Sequence, residues 1–365
     1  MKTEVSLEKL RGAALTASRF VARSANLPIL RTVLVSAHGG SVTLRATNLE
    51  CGVEVSVPAK VEVEGVCAVP GDVFGGFLQN SSGRSVVLEG DGASLSMSTT
   101  NASAKLRTLP SDEFPTLPRV SGEKSFSVRG KDLSDCIHSV AFCAAVSGVK
   151  PELQSVVLHG EGGKLYGVAT DSFRLAERAY AVRTVSSLQN ILIPLRNAAE
   201  LSRLLADVGE DVVVYYNENQ LALQVGDLYY TTRLIDGTFP NYRSIIPKEY
   251  GSEAVVLRED LSQSLKLLAI FADKFAQVLV SVSPKDKTLT LTSKNSELGE
   301  NTTTLRATVS GEPISMTFNG RYLADSLLGV SGESMKFSFS GVGKPLLITP
   351  ATDQSFLYIV MPMNR

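Results

Sequence analysis

Short signatures recur along the 365-residue chain in a fixed order at nearly constant spacing, and this internal repeat constrains the fold more than anything else in the sequence. The first is a charged pair followed by Leu: Glu8-Lys9-Leu10, Lys131-Asp132-Leu133 and Glu259-Asp260-Leu261, with the Leu positions 123 and 128 residues apart. Each opens about four helical turns, marked by Leu133, Ile137, Val140 and Phe142 in the second copy and by Leu261, Leu265, Leu268 and Phe271 in the third. The second is a polar tripeptide after a strand-like alternation. Ala46-Thr47-Asn48, Ala169-Thr170-Asp171 and Thr292-Ser293-Lys294 are spaced by 123 residues twice over, and each reads as a turn or bulge. The third is a helix start: Val69-Pro70-Gly71-Asp72, Ile193-Pro194-Leu195-Arg196 and Phe318-Asn319-Gly320-Arg321. The fourth closes two copies, at Leu109-Pro110 with Phe114-Pro115 and at Leu234-Ile235 with Phe239-Pro240.

One such match would be coincidence. Four in the same order imply three copies of a unit of about 122 residues, each with two helices and many short strands. The fold class is therefore α+β, with domains expected at 1–120, 121–248 and 249–365. The breaks fall in stretches rich in Pro, Gly, Ser and charge, 117–124 and 247–253.

Charge and motifs exclude several classes. With 36 basic and 37 acidic side chains, bulk charge does not hold this chain to nucleic acid or membrane, although a local basic surface is compatible with it. Charges at Lys2 and Glu4 stand where a signal peptide needs its apolar run. The stretch Ser139 to Val149 is far shorter than the ~18 residues of a membrane span. Four Cys (51, 67, 136, 143) lack a C-x-x-C pair and read as reduced, buried thiols of a cytoplasmic protein. No P-loop, dinucleotide fingerprint or G-x-S-x-G elbow occurs. His38, His138 and His159 are widely separated, and Cys136, His138 and Cys143 do not share a helical face, so neither a metal nor another cofactor is expected. Two other classes stay open at this point: an enzyme whose site is assembled from distant residues, and a scaffold that binds proteins but never DNA.

Basic residues are sparse on the expected helices. Arg11, Arg19 and Arg23 belong to the first, Lys150 follows the third, and Arg196 and Arg203 lie seven apart on the fourth and so share a face. Read alone, they are solvated surface; a dilute lining that touches phosphates is the sharper alternative. The end of the chain is apolar. Tyr358-Ile359-Val360 suits a final strand, and Met361-Pro362-Met363 its exit, where adaptable Met side chains suit a binding groove.

These residues resemble a family. Leu27-Pro28-Ile29-Leu30, Thr47-Asn48-Leu49-Glu50, the run Ala169 to Ala176, Phe239-Pro240-Asn241-Tyr242-Arg243 with Pro247, and Val360-Met361-Pro362-Met363 are similar, in order and over nearly the whole chain, to the bacterial DNA polymerase III beta subunits, the sliding clamps. The resemblance implies three alike clamp domains per chain and a head-to-tail homodimer forming a six-domain ring, with helices lining the hole and sheets outside. Such a ring encircles double-stranded DNA without reading its sequence and tethers the replicative polymerase alpha subunit. It also implies partners among the clamp loader, other polymerases and repair proteins, no catalytic residues, and no membrane association.

The resemblance further implies a groove for a linear partner peptide between the second and third domains. Its residues would be Leu153, Thr170, Ser172, Phe173, Arg174 and Leu175, then Pro240, Ser244 and Ile245, and finally Gly343, Pro345, Ile359, Val360, Met361, Pro362 and Met363. DNA contacts are expected from Arg23, Lys150, Arg196 and Arg203. Subunit contacts are expected from Phe77 and Ala104 on one side and Ile270, Phe271 and Lys274 on the other. Ser172-Phe173 stand where the family often has Gly-His, and Ser244 replaces a frequent Arg, which makes the rim less basic. Ser24 stands at a position often held by a DNA-contacting Arg, Ala104 matches a position that can hold Phe, and Asn364-Arg365 departs from an Arg-rich ending.

Overall fold

The computed structural model describes residues 1–22, 27–120, 124–146, 148 and 150–363. Among them are six α-helices in three pairs: α1 (Leu7–Ser18) and α2 (Gly71–Asn80), α3 (Gly130–Ala141) and α4 (Leu195–Leu205), α5 (Arg258–Ile270) and α6 (Gly320–Gly329). Each pair falls in one expected repeat. Phe142 lies just beyond α3, and Phe271 caps α5 rather than continuing it. Contacts divide the chain into two compact units, 1–130 with 203–234, and 131–202 with 235–365. The second repeat therefore contributes strands to both.

The first unit is built on a twelve-stranded sheet whose core comes from period-two burial, as in Ser41–Thr47, where Val42, Leu44 and Ala46 point inward. Helix α1 buries Leu7, Leu10, Ala13, Ala14 and Ala17. It meets α2 at Gly75, where an added Cβ would sit 2.8 Å from Ser18 Oγ. Arg11 is consumed structurally: its Nε donates to Leu78 O and its guanidinium NH2 to Ser81 O, satisfying carbonyls at the end of α2. The long strand Cys51–Val63 serves two neighbours. Its later residues pair with Lys2–Ser6, and its first ones with Leu228–Arg233, from Thr232 opposite Cys51 to Leu228 opposite Val55.

The second unit holds a nine-stranded and a four-stranded sheet. In the nine-stranded sheet, Arg174–Ala181 pairs antiparallel with the final strand Phe356–Val360, from Arg174 opposite Val360 to Arg178 opposite Phe356. This junction repeats the one in the first unit: in both, the strand that leaves the tripeptide turn pairs with a late strand of the next repeat. Among the described residues, two strands of the same repeat positions have no such neighbour. Ser103–Arg107 ends the path of the twelve-stranded sheet, and Gly299–Arg306 edges the four-stranded one.

All four cysteines are free and buried, as the sequence leads one to expect. Burial pushes the Cys67 thiol up to about 11 and the Cys136 thiol up to about 12, so both are poor nucleophiles at neutral pH.

Candidate functional site

The second unit carries an apolar cleft of about 130 Å³ lined by Leu153, Thr170, Ser172, Phe173, Arg174, Leu175, Pro240, Asn241, Tyr242, Ile245, Ile359 and Met361. Its first wall is the turn between Lys164–Thr170 and Arg174–Ala181. Thr170 Oγ1 donates to Arg174 O at 2.6 Å and accepts from Ser172 N at 3.1 Å. Asp171 Oδ1 accepts from the backbone N–H groups of Phe173 and Arg174. These bonds hold Ser172 at φ 79°, a left-handed conformation uncommon for a residue with a side chain. The turn lifts Phe173 out of the sheet, leaving it 61% exposed. A large exposed aromatic beside an apolar hollow is the usual anchor of a binding surface.

The second wall is the chain end. Alternation along Phe356–Val360 sends Ile359 into the cleft and Val360 into the core. Beyond the strand, Met361 N donates to Phe173 O and Met363 N to Thr317 O, both at 2.8 Å, so the Met-Pro-Met segment is tied down. A second hollow of about 370 Å³ adjoins there, formed by Phe173, Asn319, Tyr322, Met361, Pro362 and Met363. Phe173 and Met361 line both. The floor is a packed cluster that includes Leu153, Leu175, Phe239, Tyr242, Leu347 and Ile359.

Arg174 fixes the join between the two hollows. Its Nε donates to Asp171 Oδ2 at 2.9 Å, its guanidinium pairs with Asp325, and its plane lies 4.5 Å from the Tyr322 ring centroid. The Arg174 charge is met by these two carboxylates and does not stand free in the cleft, whose other lining is mostly apolar.

A polar network supports Tyr242 from below. His159 Nε2 lies 2.7 Å from the Tyr242 hydroxyl and stacks on Tyr166, while that hydroxyl donates to Glu177. Burial, with the nearby Arg243 charge second, lowers the His159 pKa to about 4, so the ring is neutral at pH 7. Unfolded, His159 takes its proton near pH 6.5; folded, it does so only near 4. Within that window the unfolded chain binds more protons, so the contribution present above pH 6.5 is lost as pH falls toward 4. Glu177, whose pKa burial raises, acts in the opposite sense. The variant His159→Gln isolates the first effect: its melting temperature should drop less than that of the parent between pH 7 and pH 5.

The expected residues are thus mostly gathered, with exceptions. Ser244, Gly343, Pro345 and Val360 line neither hollow. Val360 faces the other side of its strand. The Ser244 hydroxyl is turned to its own helical turn, donating to Asn241 O. Gly343 and Pro345 lie in the exposed loop before Leu346–Pro350. Asn241, Tyr242, Asn319 and Tyr322 line the hollows without having been anticipated. Asn241 and Tyr242 sit inside a segment that was singled out, and Asn319 inside the third helix-start signature, whereas Tyr322 carries no local signal.

Lys150, Arg196 and Arg203 are exposed, the last two on α4 as the seven-residue spacing requires; Arg23 lies outside the described residues. Phe77 and Ala104 are half-buried. Ile270 is 63% exposed at the end of α5, Lys274 and the unanticipated Phe275 are exposed, and Phe271 is half-buried. Beside them, Leu265, Leu268, Ala269 and Ala272 form an apolar hollow of about 180 Å³ with Ala324 of α6.

Three alike α+β domains in tandem, with an apolar cleft where the last strand of the chain joins the second repeat, define the DNA-clamp class. Comparison with known proteins agrees domain by domain. Residues 1–118, 127–241 and 243–364 match the N-terminal, central and C-terminal domains of the DNA polymerase III beta subunit, in that order. The beta sliding clamp of Synechococcus elongatus is 28% identical across the whole of this chain and 99% of its own length. The DNA polymerase III beta subunit of Thermotoga maritima superposes with a TM-score of 0.94 at 27% identity, covering 100% of this chain and 99% of that one. The sliding clamp of Pseudomonas aeruginosa bound to griselimycin does so with a TM-score of 0.95 at 25% identity, covering both chains fully. The chain belongs to the DNA polymerase III beta subunit family and is a processivity sliding clamp by that membership.

Proposed function

We propose that two copies of this chain close head to tail into a ring of six domains, 1–120, 121–248 and 249–365 from each, around duplex DNA. The observation that carries this reading is the pair of unmatched strands. Three repeats make two internal junctions, and at each a strand after the tripeptide turn pairs with a late strand of the next repeat. The leftover partners, Gly299–Arg306 and Ser103–Arg107, are the two halves of a third such junction. Each is left with an open edge, and an open strand edge favours pairing with another copy. Exposed Ile270 ends α5, the helix that packs on Gly299–Arg306, exposed Lys274 and Phe275 follow it, and Ala104 lies on the other edge.

The role is non-catalytic: the ring holds its partners on DNA and makes rebinding intramolecular, at high effective concentration. The apolar cleft takes the linear peptides of the replicative polymerase, the clamp loader, and other polymerases and repair proteins, with Phe173 and Met361 as the shared wall of its two hollows. Lys150, Arg196 and Arg203, with Arg23, supply phosphate contacts that carry no sequence information. Few contacts suit a ring that must slide, because each added phosphate contact tightens binding.

The DNA arm is tested by replacing Arg196 and Arg203 together with Ala and following duplex binding against salt. The slope of log K on log salt should shrink by about 2, one for each lost contact, and equally for unrelated sequences. An unchanged slope would show that these positions do not meet phosphate.

A further inference from the structure

We propose that the first unit carries a second peptide site, a polar twin of the apolar cleft, which takes an extended segment presenting an acidic side chain. The site is a cavity of about 110 Å³ whose lining includes Thr47, Leu49, Glu50, Gly52, Thr231 and Arg233. Its turn copies the other bond for bond. Thr47 Oγ1 donates to Cys51 O and accepts from Leu49 N, and Asn48 Oδ1 accepts from the N–H groups of Glu50 and Cys51. Leu49 is held at φ 73°, as Ser172 is at 79°. Arg233 N donates to Glu50 O at 2.8 Å, the counterpart of Met361 N on Phe173 O.

The backbone is preserved and part of the lining is exchanged, while Pro115, Leu117 and Pro118 keep one side of the cavity apolar. Register places Thr231 opposite Gly52, as Ile359 lies opposite Leu175, so Thr231 stands for Ile359 and Arg233 for Met361. Glu50 stands for Phe173. An apolar side chain would thus find a hydroxyl and a guanidinium where the other cleft offers two apolar walls. Thr231 is 3% exposed, and its Oγ1 has no hydrogen-bond partner among the described residues. A buried hydroxyl left unpaired is costly, and Thr231 Oγ1 has almost no accessible surface of its own, so a turn about its Cα–Cβ bond would be needed to bring it to a ligand in the adjoining cavity. Residues i and i+2 of a strand share a face, so Thr231 and Arg233 project to the same side about 7 Å apart. One carboxylate can accept from the hydroxyl and pair with the guanidinium. Glu50, in the same lining, opposes that carboxylate as well, so binding requires the Arg233 pairing to outweigh it.

The peptide chemistry of this site rests on reading the apolar cleft as a peptide groove, and the test keeps the two apart. Full-length protein is used to select from two blocked pentapeptide libraries, acetyl-X-X-Asp-X-X-amide and acetyl-X-X-Leu-X-X-amide. The expected result is saturable retention of Asp peptides that falls at least tenfold in Thr231→Val and in Arg233→Ala, and that Met363→Ala leaves unchanged. Retention of Leu peptides should show the converse pattern. Arg233 is exposed, so its variant keeps the fold even if Thr231→Val does not. No retention of Asp peptides, or retention insensitive to both substitutions, or its loss in Met363→Ala overturns the proposal. Failure of the Leu library alone counts against the apolar groove and not against this site.

Discussion

A chain cut after Val360 is expected to lose measurable affinity for the clamp-binding peptide of the replicative polymerase while remaining a dimer. Met361 forms a wall of both hollows, and Met363 closes the larger one. Their backbone N–H groups also tie the segment to Phe173 and Thr317, so removing it both opens the cleft and releases the Met361 bond to Phe173 O. The point variants should follow in order of contact. Phe173→Ala removes an exposed aromatic at the junction of the hollows, a position of hot-spot type, and should cost at least about 2 kcal/mol, roughly thirtyfold in Kd. Met363→Ala removes a side chain from one hollow and should cost about 1–2 kcal/mol. Fluorescence anisotropy with a labelled peptide measures each. Because the two dimer edges lie elsewhere in the sequence, light scattering should return an unchanged mass. Unaltered peptide affinity in the truncated chain would remove the groove from this cleft.

The second large effect concerns assembly. Ile270→Asp should turn the dimer into a monomer at micromolar concentration. Ile270 stands at the end of α5 with 63% of its surface exposed. Covering it in a subunit contact contributes about 2 kcal/mol, which the substitution forfeits. The carboxylate adds the cost of desolvating a charge. A closed ring of two copies has two such contacts, so the penalty enters twice. Multi-angle light scattering across a dilution series reads the mass directly. A variant that stays dimeric at every concentration would place the subunit contact on another surface.

Much of this was legible in the sequence for one reason: tandem repetition turns weak local signals into strong ones. The tripeptide at 170 reads only as a turn, yet its copy at 47 folds with the same bonds and nearly the same φ. Phe114 and Phe239, the closing signatures, are both buried in equivalent clusters, one with Leu30 and the other with Leu153. What was not legible depends on pairing between distant segments. The cleft exists because Arg174 to Arg178 lie opposite Val360 to Phe356, and nothing near either segment announces that partner. Tyr322 enters the site because α6 packs near that junction, and the His159, Tyr242 and Glu177 network unites three separate segments. Gly343 and Pro345, in the loop before Leu346–Pro350, line neither of the two hollows. The exchange of Ile359 and Met361 for Thr231 and Arg233 was likewise invisible until register set them side by side.

The central claim is that the two unmatched strand edges close a ring between copies. Small-angle X-ray scattering on the purified protein tests it most directly, since forward scattering gives mass and the distance distribution gives shape. The account predicts twice the 39.0 kDa of one chain, with the flat, hollow profile of a closed ring. A compact particle of one chain mass would contradict it, because both edges would then be open in solution and the chain could not encircle DNA.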